Sequence, residues 1–252
     1  MSDCKISDIP MQPKLNLSIC KDKNLVGNVK LPYRELIGCL MYLMLGSRPD
    51  LSFCMSYFSQ FQNNYTEEHW KNLKNVLRYL KSTENYVISF VKGRNKEIEI
   101  VSYVDADFAN NQTDRKSISG YVIKFNKNVI CWKTKKQNVV SLSSAEAEYM
   151  ALSSCVAESL FFSQMLEEIF KIMYSVHVYE DNKSYIKMAS TLESKRTKHI
   201  DVRHHFIRDC LEKELITLQY VQSDQQQADI FTKSLSKSKF TYFRELLNVT
   251  EL

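Results

Sequence analysis

The residues of this chain best suited to chemistry are acids standing where strands end or helices begin. Ile100-Val101-Ser102-Tyr103-Val104-Asp105-Ala106-Asp107-Phe108 has the alternation and the β-branched and aromatic content of a strand. That alternation puts Tyr103, Asp105 and Asp107 on one face and Val104 and Phe108 on the other. A lone mid-strand Asp is usually a solvated edge residue, but three further acids occupy strand–helix junctions. In Ser143-Ser144-Ala145-Glu146-Ala147-Glu148-Tyr149, Ser143 as N-cap makes Glu146 the third helical residue, the partner of a capping box. Glu148 falls on the opposite flank of the apolar stripe Ala145, Tyr149, Leu152, Val156 and Leu160, and is the better candidate for chemistry. Asp181 follows the strand-like Val176-His177-Val178-Tyr179-Glu180, and Asp229 begins a short helix after another strand. Taken singly, Asp181 reads as an N-cap and Asp229 as a first-turn complement to the helix dipole.

Taken together, Asp105, Glu148, Asp181 and Asp229 can converge if the strands ending at Asp105 and Asp181 are parallel neighbours. Carboxylates crowded in that way repel unless a cation lies among them, and an all-oxygen donor set suits Mg2+ or Mn2+ rather than zinc. A pair of such ions about 4 Å apart can activate water and stabilise the leaving oxygen of a phosphodiester. The basic residues point to the same class of substrate. Between Asp114 and Glu146 no acid occurs, while Arg115, Lys116, Lys124, Lys127, Lys133, Lys135 and Lys136 are interleaved with Tyr121, Phe125 and Trp132. Such a segment reads as a surface for a phosphate backbone, or as an edge hairpin carrying lysines against aggregation. A second basic stripe, Lys71, Lys74, Arg78 and Lys81, borders the expected apolar face Trp70, Leu73, Val76, Leu77 and Leu80 of a helix. It is either a solvated face or a phosphate-contacting one.

The elements needed to position these residues fall into two parts. Residues 1–32 carry Pro10 and Pro13 and read as an irregular linker. Residues 33–95 read as helical, with helices from Tyr33, from Ser47-Arg48-Pro49-Asp50 as a proline-containing N-terminus, and from Glu67. From Asn85 the composition turns to short β-type segments, and the polar break Lys92 to Lys96 marks the boundary. Residues 96–235 then show three strands joined by short turns, followed by alternating helices and strands. That order implies a mixed five-stranded α/β sheet, antiparallel first and parallel later, with helices on both faces. Residues 236–252 read as a helical tail.

Composition bounds the rest. The chain has 252 residues, of which 44% are hydrophobic and 25% charged, enough to build a core, and its formal net charge of +5 says little about partners. Seven scattered cysteines contain no C-x-x-C pair, which favours reduced thiols in a cytoplasmic or nuclear compartment. No signal-like leader and no apolar run of membrane-spanning length occurs, so an intracellular protein without a membrane role is expected.

Several motifs together resemble one family. Tyr103-Val104-Asp105-Ala106-Asp107-Phe108-Ala109, Asp114-Arg115-Lys116-Ser117-Ile118-Ser119-Gly120-Tyr121 and Ser143 to Leu152 resemble the ribonuclease H domain of copia-type retrotransposon Pol polyproteins. Tyr179-Glu180-Asp181-Asn182, Lys198 to Arg208 and Ala228-Asp229-Ile230-Phe231-Thr232-Lys233 continue it in order, and Pro32 to Gly38, Ser47 to Leu51 and Arg78 to Lys81 resemble the end of the same elements' reverse transcriptase. The resemblance implies a ribonuclease H fold, hydrolysis of the RNA strand of RNA/DNA hybrids with two Mg2+ ions, and Asp105, Glu148, Asp181 and Asp229 as the metal-binding catalytic acids. It implies association with the rest of a reverse transcriptase as well. No histidine stands in Ser223-Asp224-Gln225-Gln226-Gln227, where many ribonucleases H have one, and His199, His204 and His205 are expected to serve packing or surface roles. No adjacent Asp-Asp pair occurs, so no polymerase signature is present. The competing reading is an inactive remnant, or a co-opted protein that binds nucleic acid without cutting it.

Overall fold

The computed structural model describes residues 4–18, 31–92, 99–111, 113–172, 174–183, 186 and 198–252, with backbone only at 198–201. In chain order the first elements are α1 (Tyr33–Gly46), a 3-10 turn (Pro49–Leu51), α2 (Ser52–Ser59), α3 (Glu67–Ser82) and β1 (Tyr86–Ile88). The central ones are β2 (Glu99–Asp107), β3 (Ile118–Phe125), β4 (Asn128–Lys136), α4 (Ser144–Phe170) and β5 (Ser175–Glu180). Then follow α5 (Lys198–Glu212), β6 (Thr217–Tyr220), α6 (Asp229–Thr232), α7 (Lys237–Leu246) and β7 (Val249–Glu251). Contacts divide the chain into two compact units, Met1–Ser89 with Lys233–Leu252, and Phe90–Thr232.

The first unit is mainly helical, and α7 with β7 belongs to it rather than forming a separate tail. β7 pairs antiparallel with β1, Val87 opposite Thr250. Helix α3 starts at a reciprocal cap in which the Thr66 N–H donates to His69 Nδ1 at 3.1 Å. Its buried residues are His69, Leu73, Val76 and Tyr79, whereas Trp70, Leu77 and Leu80 are only half-buried. The inward face therefore differs from the expected stripe, because the Tyr79 hydroxyl donates to Asp50 Oδ2 at 2.6 Å and draws its ring inside. Asp50 lies at the proline-containing helix start expected from the sequence. It is buried, and Arg48 donates to both of its oxygens at 3.0 and 2.8 Å while also reaching Thr83 Oγ1 at 2.9 Å.

The second unit holds a five-stranded sheet in the order β4-β3-β2-β5-β6. The β4–β3 and β3–β2 pairs are antiparallel, and β2–β5 and β5–β6 are parallel, as the order of strands and helices implied. Ser143 caps α4, its hydroxyl accepting from the Glu146 N–H at 3.2 Å. The apolar side chains of α4, including Ala151, Leu152 and Val156, pack with Val104, Tyr121 and Ile123 in one core. Ser102 Oγ lies 2.8 Å from Ser159 Oγ of α4, whereas Thr232 of α6 bonds Asp105. Side chains three apart on a strand point to opposite faces, so α4 and α6 cover opposite sides of the sheet. This is the ribonuclease H-like α/β arrangement that the resemblance implied. The sequence predicts a helix from Asn182 to Ala189, and most of it lies outside the described residues.

Candidate active site

The site is built outward from Asp105, near the end of the central strand β2. Across the β2–β3 ladder its partner is Gly120. A Cβ on Gly120 would lie 2.6 Å from Phe231 Cβ and 2.7 Å from Thr232 Cγ2, so only glycine lets α6 lie this close to the sheet. From there the Thr232 hydroxyl donates to Asp105 Oδ2, and Thr134 Oγ1 of β4 holds the Phe231 carbonyl at 2.8 Å. Asp229 is the first residue of this same short helix and is buried. The sequence predicts a short helix from Gln226 to Lys233, and the helix observed, α6, spans four residues.

The parallel register brings in the next acid. Tyr103 pairs with Tyr179 and their rings stack at 5.0 Å, so Asp105 and Asp181 each lie two residues beyond a matched pair. Between them stands Glu180, which the sequence-based choice of acids passed over. Its Oε1 accepts from the Asp181 N–H at 3.1 Å and the Asn182 N–H at 3.2 Å, and it is fully buried. Burial first, and then the charges of Asp105 and Asp181, push its carboxyl well above the usual carboxylate range. One signal was available: Glu180 shares parity with Val176 and Val178, the inward residues of β5.

Glu148 comes from the other side of the sheet, in the second turn of α4. Glu146 and Glu148 are both buried, so exposure does not separate them. Glu146 Oε2 accepts from the Leu142 N–H at 2.7 Å, one residue ahead of the capping-box partner and still a capping role. Thus the charges of Asp105 and Asp181 both reach Glu180, and Asp229 rides on the helix that bonds Asp105. Glu148 is carried by the helix packed on β2 and β3. Among the described residues, no group of three or more His, Cys, Asp or Glu side chains could hold a metal ion as the side chains stand. Each of the four acids taken alone offers only oxygen donors, the kind a hard divalent cation takes, and the charges of Asp105 and Asp181 are felt at Glu180.

The basic residues separate into distinct groups. Lys133 and Lys135 share a face of β4 and line a cavity of about 380 Å3 together with Ser119, Tyr121, Ser154 and Arg203. Lys133 Nζ lies 5.9 Å from the Tyr121 ring centroid. Lys136 points the other way and forms an ion pair with Asp114 at 2.9 Å, so an acid does answer one cation of the expected patch. Arg115 and Lys116 occupy the turn before β3, with Arg115 exposed and at a positive φ of 55°. Lys124 is buried, with its ammonium 6.0 Å from the Tyr103 ring centroid, and burial pushes its pKa down to about 8. In the first unit, Lys71 and Lys81 of α3 are exposed and Lys74 and Arg78 half-exposed, with Lys74 5.8 Å from the Trp70 ring centroid. His204 is buried against Tyr149, ring centroids 5.1 Å apart, and His205 is exposed. The His199 side chain lies outside the described residues.

No family model matches the chain. It is 35% identical over 225 residues to the retrovirus-related Pol polyprotein from transposon TNT 1-94 of Nicotiana tabacum, an alignment covering 88% of this chain and 17% of that protein. It is 42% identical over 133 residues to the secreted RxLR effector protein 161 of Plasmopara viticola, covering 53% of this chain and 92% of that protein. The chain therefore spans about a sixth of the length of the Pol polyprotein it matches. Among solved structures, a ribonuclease H1 isolated from compost by a metagenomic approach aligns with a TM-score of 0.42 and 16% identity, over 53% of this chain and 92% of that one. No helix among the described residues is long and apolar enough to cross a membrane.

Proposed function

The chain belongs to the Pol polyproteins of copia-type retrotransposons, and from that premise we propose that its ribonuclease H-like unit hydrolyses the RNA strand of RNA/DNA hybrids with Mg2+ or Mn2+. The observation that carries this reading is the crowding of charge at the end of β2 and β5, where Asp105 and Asp181 both bear on the buried Glu180. Asp105, Glu148, Asp181 and Asp229 would hold the ions through carboxylate oxygens. Bound there, divalent ions supply an activated water and stabilise the charge on the leaving oxygen.

The chain's own residues supply position and charge. Thr232 holds the Asp105 carboxylate through its hydroxyl, and Glu180 accepts from the N–H groups of Asp181 and Asn182, so the start of the segment after β5 is held against the sheet. Lys133, Lys135 and Arg203 gather positive charge at one cavity with no acid among the described residues of its lining, which suits phosphate groups of a bound strand. Arg115 and Lys116, and the α3 stripe Lys71, Lys74, Arg78 and Lys81, would add phosphate contacts. The rest of a reverse transcriptase is the protein partner proposed.

The reading is tested with duplexes labelled on one strand at a time. The purified chain with Mg2+ is expected to cut the RNA strand of a hybrid and to leave its DNA strand, double-stranded DNA and double-stranded RNA intact. Binding of the hybrid without cleavage of any strand would favour a nucleic-acid-binding remnant instead.

A further inference from the structure

Two buried glutamines tie the acids that lie off the sheet to the strands around Asp105. Gln137, just past β4, is 6% exposed. Its Nε2 donates to the Ala147 carbonyl at 2.9 Å and to Ser119 Oγ at 2.9 Å, and its Oε1 accepts from the Ser141 hydroxyl at 2.7 Å. Ala147 immediately precedes Glu148, and Ser119 immediately precedes Gly120, the ladder partner of Asp105. Gln226 is fully buried, donates from Nε2 to the Val104 carbonyl at 2.9 Å, and accepts from the Ala228 N–H at 3.2 Å through Oε1. Val104 immediately precedes Asp105, and Ala228 immediately precedes Asp229.

The two bridges end at corresponding places although their bonds differ, Gln137 joining helix and sheet through Nε2 alone and Gln226 through Nε2 and Oε1. Each clamps the residue before an off-sheet acid to a point on the sheet within one or two positions of Asp105. Both glutamines donate and accept at once, which neither a carboxylate nor an ammonium can do and which a buried apolar side chain leaves undone. A fold-stabilising role alone would not require both bridges to end beside an acid.

We propose that Gln137 and Gln226 are positioning residues that set the spacing of Glu148 and Asp229 relative to Asp105. The inference rests on the reading of those acids as metal ligands, and it adds how they are held. Partners that orient metal ligands typically contribute about 10- to 100-fold in metal affinity or activity.

The test is Mn2+ titration calorimetry on the full chain and on Gln137→Met and Gln226→Met, each alone and each combined with the acid it serves, Glu148→Gln or Asp229→Asn. Each single glutamine variant is expected to weaken Mn2+ binding about 10-fold. In the matching acid variant it should add little, because the group it places is already gone. Full additivity, or unchanged Mn2+ affinity, would overturn the proposal. Either glutamine variant that folds is sufficient to decide.

A metal-free measurement separates this inference from the function it rests on. Amide hydrogen exchange at Ala228 is expected to speed up at least 10-fold in Gln226→Met, while the amides of Val176 and Val178 keep their protection. If the parent chain binds no Mn2+, the metal-dependent function fails and exchange alone judges the bridge. Unchanged exchange at Ala228 would then reject it.

Discussion

Gly120 sits directly across the antiparallel ladder from Asp105, and the space where its side chain would be is filled by Phe231 and Thr232. Asp105 thus stands opposite a point where a helix lies too close to β3 for a side chain to fit between them. Gly120→Ala would put a methyl within 2.6 Å of Phe231 Cβ and 3.0 Å of its carbonyl carbon, contacts that force α6 outward. The expected loss is about 1–3 kcal/mol of stability, measured by denaturant unfolding. Thr232 should lose its bond to Asp105, so hybrid cleavage should fall further than stability does.

Buried Lys124 makes a pH prediction of definite sign. Its pKa falls from 10.5 to about 8 because burial disfavours the charged form. Between those values the unfolded chain holds a proton that the folded chain lacks, so the unfolding free energy rises as pH climbs from about 8 towards 10.5. Below that window the full cost is present, on the order of 3 kcal/mol. Lys124→Met is expected to stabilise the protein at pH 7 by about 1–3 kcal/mol and to remove the rise at alkaline pH. Unfolding curves at pH 7, 9 and 10.5 check both parts.

The first unit depends on a buried ion pair. Arg48 and Asp50 have side chains 6% and 0% exposed, and Tyr79 adds a bond to the same carboxylate. Removing one partner leaves the other charge buried and alone, so Asp50→Ala is expected to cost about 3–5 kcal/mol. Tyr79→Phe removes only a hydrogen bond and should cost about 1–2 kcal/mol. Trp70 lies in this unit and Trp132 in the other. Trp70 fluorescence in a Trp132→Phe background therefore follows the first unit's transition.

The cations of β4 are not equivalent, and salt dependence distinguishes them. Lys133 and Lys135 line the cavity with Arg203, whereas Lys136 is paired with Asp114 at 2.9 Å. Lys133→Ala with Lys135→Ala should reduce the slope of log K against log salt for hybrid binding by about 1 per lost phosphate contact. Lys136→Ala should leave the slope nearly unchanged. Equal slopes for both variants would place Lys133 and Lys135 away from phosphate.

Much of this architecture is legible in the sequence where a strong local pattern has a single solution. β3 begins at Ile118 and ends at Phe125, and α4 begins after Ser143, both as alternation and capping imply. The parallel pairing of β2 and β5 follows from chain order. What escaped depends on contacts distant along the chain. Tyr79 turns inward because of Asp50, 29 residues earlier, and no helical stripe encodes that. Gln137 and Gln226 sit in polar segments and Thr232 ends a short helix, where such residues look like ordinary loop and helix-end composition. Their partners Ala147, Val104 and Asp105 become neighbours only after folding. Glu180 was readable from its parity with two valines, but an acid ending a strand is usually solvated.

The proposed metal-dependent hydrolysis requires Asp105 to hold the ions. Its most direct test is single-turnover cleavage of a labelled RNA/DNA hybrid by the parent chain and by Asp105→Asn, across a Mg2+ titration that includes a chelator control. The expected result is cleavage by the parent that rises with Mg2+ and vanishes with chelator, and a loss of at least 100-fold in the variant at every Mg2+ concentration. Equal cleavage by the two proteins, or cleavage indifferent to the chelator, would contradict the account.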